Sequence, residues 1–465
     1  MTILPVVEKV GIKLSVELTV QEGHPSMLGE DRVCAPSISR YHYLAEDLRI
    51  PCPGERINQS DLGKPFLTRT LKNIVTENAP LHTPISVVSE SRTRDELRKK
   101  IHLASPIIDA EMKAAALSAL ENEMMVMGES VFKFEEEFAK YCGTKYAVST
   151  ASGTAALSIT LQALNIGHGN EVITTPFSFI ATANSIVHAG ADPIFADVED
   201  SGINLSPRKT RTKIGSKTRA LMPVHLYGHP SRIDEFQDLA AESGLNLIED
   251  ACQAHGAEFN GRKVGSTGDA GCFSFYPAKN MTVGGDGGMI TTNNEELADA
   301  ARSIRDCGRD KNNKYYHGRI GFTSRLNTVN AAIGRVQLKR LETWNEARRR
   351  LSERYRKELE NVRDIILPPV EASFEKAVYH LFVIRTKLRD QVKKRLADNG
   401  IETGIHYPRP IHLQAPYREK YGYAEGAFPL SESLSNEVLS LPIYPTLAED
   451  ELVRVCEALK KSLVA

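Results

Sequence analysis

The sequence predicts an α/β protein: a large part with a mainly parallel sheet between helices, followed by a smaller C-terminal α/β part. Three observations carry this. Short apolar runs alternate with amphipathic helical runs from Lys145 to Asp250 and beyond, the rhythm of parallel strands joined by crossover helices. Ser152, Phe179, His225, Asp250 and Ser274 all fall at or just after the ends of the predicted strands. Ligands in such sheets sit at the strands' carboxyl ends. The chain has 465 residues, 41% hydrophobic and 25% charged, enough for two or three domains with a large core.

Composition narrows the functional classes. A net charge of −1 and the lack of a basic block give no footing for nucleic acid. Seven cysteines lie at 34, 52, 142, 252, 272, 307 and 456. An odd count without CxxC pairs argues against a disulfide framework or a metal site and suits a reducing, cytoplasmic setting. Glu8, Lys9, Lys13 and Glu17 stand where a signal peptide would be apolar. The uncharged run Ala147–Asn170 is too rich in Ser, Thr and Gly for a membrane span.

Taken in order, residues 1–100 read as an extension with many prolines and charges and weak strand-like pieces such as Ile12–Val20. A non-catalytic role is expected for it. Apolar spacing predicts helices over Ala110–Glu123 and Val131–Tyr141, with Phe134 and Phe138 in the core. Lys145–Thr150 reads as a strand, running through Ala151, Ser152, Gly153 and Thr154 into a helix from Ala155 to Leu164. Small residues between a strand and a helix N-terminus make an anion site, because free amides and the helix dipole both favour a phosphate. The same letters also suit a plain Ser/Thr helix cap. Strands follow at Glu171–Thr175, Pro193–Ala196, Arg219–His225 and Leu245–Asp250, with a helix at Ile233–Glu242. Cys272–Phe275 is another strand, and the helix Glu295–Arg305 closes the large part, residues 101–310. The smaller part, residues 311–465, holds a helix from about Thr328 past Trp344 into Arg348–Arg350, whose basic run reads as a solvated face. A strand at Val378–Thr386, a helix at Lys387–Asn399 and a closing helix at Glu449–Leu463 complete it.

The stretch Cys272–Met289, CFSFYPAKNMTVGGDGGM, organises the rest. It places one lysine, Lys279, after a strand and before a glycine cluster. Upstream, LNLIED ends in Glu249 and Asp250, with Gln253 three residues beyond Asp250. Asp-x-x-Gln followed in order by Ser274-x₄-Lys279 is a specific pairing; either half alone is weak. With SGTAAL at Ser152–Leu157, these motifs resemble the DegT/DnrJ/StrS family of PLP-dependent sugar aminotransferases, of fold type I. The resemblance runs from about Ile101 to the C-terminus.

That resemblance implies pyridoxal 5'-phosphate as cofactor. Lys279 would bind its carbonyl and Asp250 its ring nitrogen, with Glu249 the alternative acid. Gln253 would meet the ring oxygen. Gly153, Thr154, Ala155 and Ser274 would hold the phosphate. Phe179 would stack on the ring, with Phe177 its rival, because the loop is one residue short of the family pattern. Gly128, His225, His406 and Tyr407 would lie near a sugar substrate. In the family a residue at the position of Thr323 reaches the neighbouring subunit's phosphate. Asn is usual there, so with Thr323 the cross-subunit contact would be weaker, or made by Arg325 or Ser324. The implied reaction moves an amino group from L-glutamate to a nucleotide-activated keto-sugar in a homodimer. GGDGG at Gly284–Gly288 and SRLNT at Ser324–Thr328 look more like members acting at the sugar C3. Two other readings stand beside it: a PLP-dependent sugar dehydratase, disfavoured by Lys279, and a non-catalytic PLP-binding regulator.

Overall fold

The computed structural model describes residues 100–313 and 315–463. The expected extension thus lies outside the described residues except for Lys100, as does the strand-like piece Ile12–Val20. All described residues fall within one compact unit.

The chain enters through two helices, α1 (Ala110–Asn122) and α2 (Glu129–Cys142). Asp109 caps α1 by accepting from the Met112 amide. The buried stripe Val131, Phe134, Phe138 and Cys142 on α2 follows the helical spacing that predicted it. Then come β1 (Tyr146–Thr150), α3 (Gly153–Ala163), β2 (Glu171–Thr174), α4 (Ala181–His188), β3 (Asp192–Phe195), the single-turn α5 (Pro207–Arg211), β4 (Thr218–Met222), α6 (Ile233–Ser243) and β5 (Asn246–Asp250). A small ribbon, β6 (Glu258–Phe259) and β7 (Arg262–Lys263), precedes β8 (Ala270–Ser274), β9 (Gly288–Thr292) and α7 (Glu295–Arg305).

Seven of these strands form one sheet in the order β1-β9-β8-β5-β4-β2-β3. The ladders β3–β2–β4–β5–β8 are parallel. Only β9 runs against the rest, antiparallel to both β8 and β1. The sequence reading missed it, because four glycines precede Met289 and read as loop. One of them, Gly288, pairs with Thr150 and lies so close to the Ser152 carbonyl that a Cβ has no room. Both faces of the sheet are covered. Ile159, Ile248, Ile290 and Ala298 pack on one side, and Ile173, Leu221, Phe236 and Leu247 on the other.

The 32-residue α8 (Thr328–Leu359) is about 48 Å long at the usual rise. Its first half packs with Phe134, Phe138 and Phe275 through Leu338 and Leu341. Its second half enters a different core through Leu351, Tyr355 and Leu359. That core gathers β11 (Phe382–Arg385), α9 (Arg389–Asp398), β12 (Val438–Leu441) and α12 (Glu449–Leu463), with β11 and β12 paired antiparallel. Three other elements of the C-terminal part pack elsewhere: β10 (Glu375–Lys376) pairs with β6, α10 (Ala415–Tyr421) sets Tyr417 with Phe195, and α11 (Pro429–Glu437) sets Leu434 with Val224 and Leu226. One helix therefore serves both cores across the expected division near residue 310. The basic run on it is not uniformly solvated. Arg348 is buried and donates from one nitrogen to the carbonyls of Tyr379, His380 and Ile443.

Candidate active site

The carboxyl ends of β1, β5 and β8 converge. At β1, Ser152 is the N-cap of α3 and its hydroxyl accepts from the Ala155 amide at 3.1 Å. The cap and the anion site are therefore both present. Ala155, expected to help bind the anion, has its amide taken by Ser152. The amides of Gly153 and Thr154 keep no acceptor among the described residues, as the first amides of a helix do. Gly153 is where the loop meets β8: a Cβ there would come within 2.6 Å of the Ser274 Cβ and 2.8 Å of the Cys252 Sγ. Only glycine allows that approach, and it brings Ser274 to the anion loop.

At β5, strand alternation sends the two acids to opposite faces. Glu249 has no exposure and is filled by its own chain. It accepts from the amides of Gly265, Thr267 and Gly268 at 2.7–2.8 Å and contacts His225 Nε2 at 3.0 Å. Burial alone would raise its pKa. The His225 contact and the loop amides overcome that and hold the carboxyl below its ordinary value. His225, expected near the substrate, does not line the site. It is fully buried, with Nε2 on Glu249 and Nδ1 accepting from the Ser231 amide at 3.0 Å. The strand end that suggested a ligand role here faces inward onto Glu249. Asp250 takes the other face. It accepts from Thr182 Oγ1 at 2.7 Å and from the Cys252 amide at 3.2 Å.

Gln253 is 3% exposed and both ends of its amide are used. Its oxygen accepts from the Tyr227 amide at 2.9 Å and its nitrogen donates to the Tyr407 hydroxyl at 3.1 Å. This ties β5 to the His406–Tyr407 segment. Tyr227 strengthens the tie by donating its hydroxyl to the His406 carbonyl. His406 Nδ1 lies 2.8 Å from Ser440 Oγ. Burial first, then the charge of Lys279, pulls its pKa down to about 4, so the ring is neutral at physiological pH. Of the two candidate aromatics, Phe179 is 53% exposed, with its ring centroid 5.8 Å from that of Tyr407. Phe177 is wholly buried against Tyr227.

Lys279 follows β8 in a turn closed by its amide on the Tyr276 carbonyl at 2.8 Å. Its ammonium has no hydrogen-bond partner among the described residues. Burial lowers its pKa, opposed by Cys252 and Asp250, and an amine freed of its proton is the nucleophilic form. Asn280, which the sequence reading passed over, fixes this turn by donating to Asn345 Oδ1 at 2.8 Å and the Val378 carbonyl at 2.9 Å. Thr182 was missed as well. No local pattern marks a threonine inside a helix as the partner of an acid 68 residues away.

Thr323 lies with Ser324, Ser152 and Thr154 around a pocket of about 520 Å³. Its hydroxyl is 3.2 Å from Cys307 Sγ, and Arg325 pairs with Asp306 at 2.7 Å. Gly128 donates its amide to Thr328 Oγ1 at 3.1 Å. No described helix is long and apolar enough to cross a membrane.

The arrangement fits pyridoxal 5'-phosphate on this chain's own geometry. Among the described residues it offers an amine without a hydrogen-bond partner on a fixed turn, a buried acid close enough for its charge to act on that amine, and two free helix amides beside a cradle that no Cβ could share. Residues 106–460 match the sequence profile described as the DegT/DnrJ/EryC1/StrS aminotransferase family. The chain is 41% identical over 339 residues to a pleiotropic regulatory protein of Geobacillus stearothermophilus, covering 73% of this chain and 90% of that protein. It is 40% identical over 352 residues to a dTDP-3-amino-3,4,6-trideoxy-alpha-D-glucose transaminase of Streptomyces venezuelae, covering 76% and 92%. Its structure resembles the crystal structure of S. venezuelae DesV in complex with a ketimine intermediate, with a TM-score of 0.74 and 39% identity over 77% of this chain and 95% of that one.

Proposed function

This chain belongs to the DegT/DnrJ/EryC1/StrS aminotransferase family, and on that premise we propose that it transfers an amino group from L-glutamate to a nucleotide-linked keto-sugar. The observation that carries the reading is Lys279: an amine with no hydrogen-bond partner among the described residues, its proton loosened by burial, within reach of the charge of Asp250.

Pyridoxal 5'-phosphate, when bound, supplies a carbonyl that exchanges amines and an electron sink. The rest is done by the chain. The amides of Gly153 and Thr154, with Ser274, would hold the phosphate. Asp250 would pair with the ring nitrogen and keep its proton by charge. Gln253, whose Nε2 donates to Tyr407, would supply a donor to the ring oxygen. Phe179 would stack on the ring. Lys279 Nζ would be the amine that holds the cofactor's carbonyl and, when free, the base that moves a proton. His406, neutral and half-buried, and Tyr407 border the space where the sugar would sit over Lys279.

The substrate class rests on the transaminase relative, whose named product carries the amine at C3 of a dTDP-sugar. GGDGG at Gly284–Gly288 and SRLNT at Ser324–Thr328 favour the same carbon here. The reading includes a homodimer in the cytoplasm, with Thr323 or Arg325 reaching the second copy's site. The regulator reading keeps one supporting fact, the name of the Geobacillus relative. The two differ in a single measurement. A transaminase given L-glutamate alone converts its cofactor to the amine form and releases 2-oxoglutarate, and a nucleotide keto-sugar then restores the aldehyde form. A protein that holds the cofactor but makes no 2-oxoglutarate with glutamate, and no keto acid from other common amino donors, is the regulator. His406→Ala and Tyr407→Ala should slow the sugar step more than the glutamate step.

A further inference from the structure

Behind Asp250 stand two more buried oxygens in line. Thr182 Oγ1 lies 2.7 Å from Asp250 Oδ2, and Ser178 Oγ lies 2.9 Å from Thr182 Oγ1. Ser178, Thr182 and Asp250 are 4%, 1% and 3% exposed, so water does not compete for them. An ionised carboxylate only accepts, so Thr182 must spend its single hydroxyl proton on Asp250. Its lone pair is then free to receive, and Ser178 is left as the donor to Thr182. The direction of the chain Ser178→Thr182→Asp250 is thereby fixed. Successive hydroxyls polarise one another in a low dielectric, so the last bond gains from the first.

The turn that supplies these hydroxyls is itself pinned. The Thr182 amide donates to the Phe179 carbonyl at 3.1 Å, and the Ser185 hydroxyl donates to the Thr182 carbonyl at 2.7 Å. One turn at the start of α4 therefore presents Phe179 on its outside and Thr182 on its inside. The carboxylate of Asp250 is gripped at both oxygens, by Thr182 at Oδ2 and by the Cys252 amide at Oδ1. The Cys252 contact is made by the strand's own continuation. The grip from Thr182 comes from a different element, so it is the one that sets the rotation of the carboxylate.

We propose that Thr182, backed by Ser178, is a positioning residue that orients Asp250 towards the cofactor ring. This rests on reading Asp250 as the partner of the ring nitrogen. Thr182 touches neither ring nor substrate; it acts only through Asp250.

The test is the affinity of the apoprotein for pyridoxal 5'-phosphate, measured by equilibrium dialysis, beside thermal melting. Thr182→Val keeps the shape and removes the donor. It should weaken binding about tenfold, the scale of one lost hydrogen bond to a charged group. Thr182→Ser should restore affinity to within about twofold, and Ser178→Ala should cost about threefold, as the weaker end of the relay. The deciding arm is a double-mutant cycle. In an Asp250→Ala background, Thr182→Val should add less than about twofold, because nothing remains for the hydroxyl to orient. A loss as large there as in the natural chain means that Thr182 acts through packing, and the proposal is wrong. Natural affinity in a folded Thr182→Val variant also overturns it. Should Thr182→Val not fold, full affinity in Ser178→Ala, or none in a folded Thr182→Ser, overturns it instead. Asp250→Ala binding as tightly as the natural chain would remove the ring-partner reading itself. That result is separate from failure of the relay, in which Asp250→Ala binds weakly and Thr182→Val does not.

Discussion

Glu249 and Asp250 are consecutive on β5 and nearly devoid of solvent exposure, at 0% and 3%. On one side of the strand, Glu249 is met by three loop amides and a histidine. A carboxylate has about four good acceptor positions, so this one is full. On the other side, Asp250 is met by one hydroxyl and one amide. It keeps acceptor capacity, and its charge acts on Lys279, whose amine has no hydrogen-bond partner among the described residues. A buried acid that its own chain satisfies completely holds the fold. A buried acid left partly open, beside an amine in the same state, is ready for something the chain does not contain. The two sides also differ in what they organise. Glu249 pins the Gly265–Gly268 loop and, through His225, the segment after β4; Asp250 ties the start of α4 to the end of β5 through Thr182, and its charge acts on Lys279.

The largest expected effect falls on the open side. Lys279→Ala should abolish amino transfer while leaving the melting temperature within a few degrees. Borohydride reduction of the natural protein should leave the cofactor on the peptide containing Lys279; label on another lysine would end this assignment. Asp250→Asn comes next, with turnover lowered on the order of 10²–10³-fold in a folded protein, the usual scale for removing one preorganised electrostatic partner. Near-normal turnover would collapse the contrast between the two acids.

Glu249→Gln should behave in the opposite way. Breaking this buried pair should cost about 3 kcal/mol of stability or more, with the surviving folded fraction near natural activity. Chemical denaturation against pH would sharpen the point. The Glu249 pKa is lowered in the folded state, so its contribution is fully present above the unfolded value, about 4.3. It is lost as pH falls below that value towards the folded one. The natural chain should therefore lose stability more steeply in acid than Glu249→Gln. Equal acid slopes would mean that Glu249 is not held as a carboxylate.

The smallest effect is expected where the two halves of the site are tied. Tyr407→Phe removes the acceptor of the Gln253 amide and should reduce the sugar step about five- to tenfold, as for one neutral hydrogen bond. His406 should leave no inflection near its ordinary value in the rate profile between pH 5.5 and 8, because burial and Lys279 hold its pKa at about 4.

The elements of the parallel sheet were legible because each declares itself locally. Apolar runs of four or five residues, helical stripes such as Phe134–Phe138, and the cap letters at Ser152 need only neighbours along the chain. Lys279, Asp250, Gln253 and Gly153 could be singled out for a related reason: each stands in a short motif local to one strand end, and the motifs in order resemble those of the family. β9 was not, because its glycines read as loop until β1 and β8 are there to flank it. Nor were Thr182, Asn280 and Asn345, whose roles are contacts across 65 or more positions. His225 was placed wrongly for the same reason. A strand end has two faces, and the sequence marks the end without saying which face a given side chain takes. By itself the sequence determined the parallel strands of the sheet, the long helices that cover it and the motif residues that stand at the strand ends. The tertiary structure alone decided which of two adjacent acids is consumed by the fold and which is left open, because satisfaction of a buried carboxylate depends on donors that arrive from other elements.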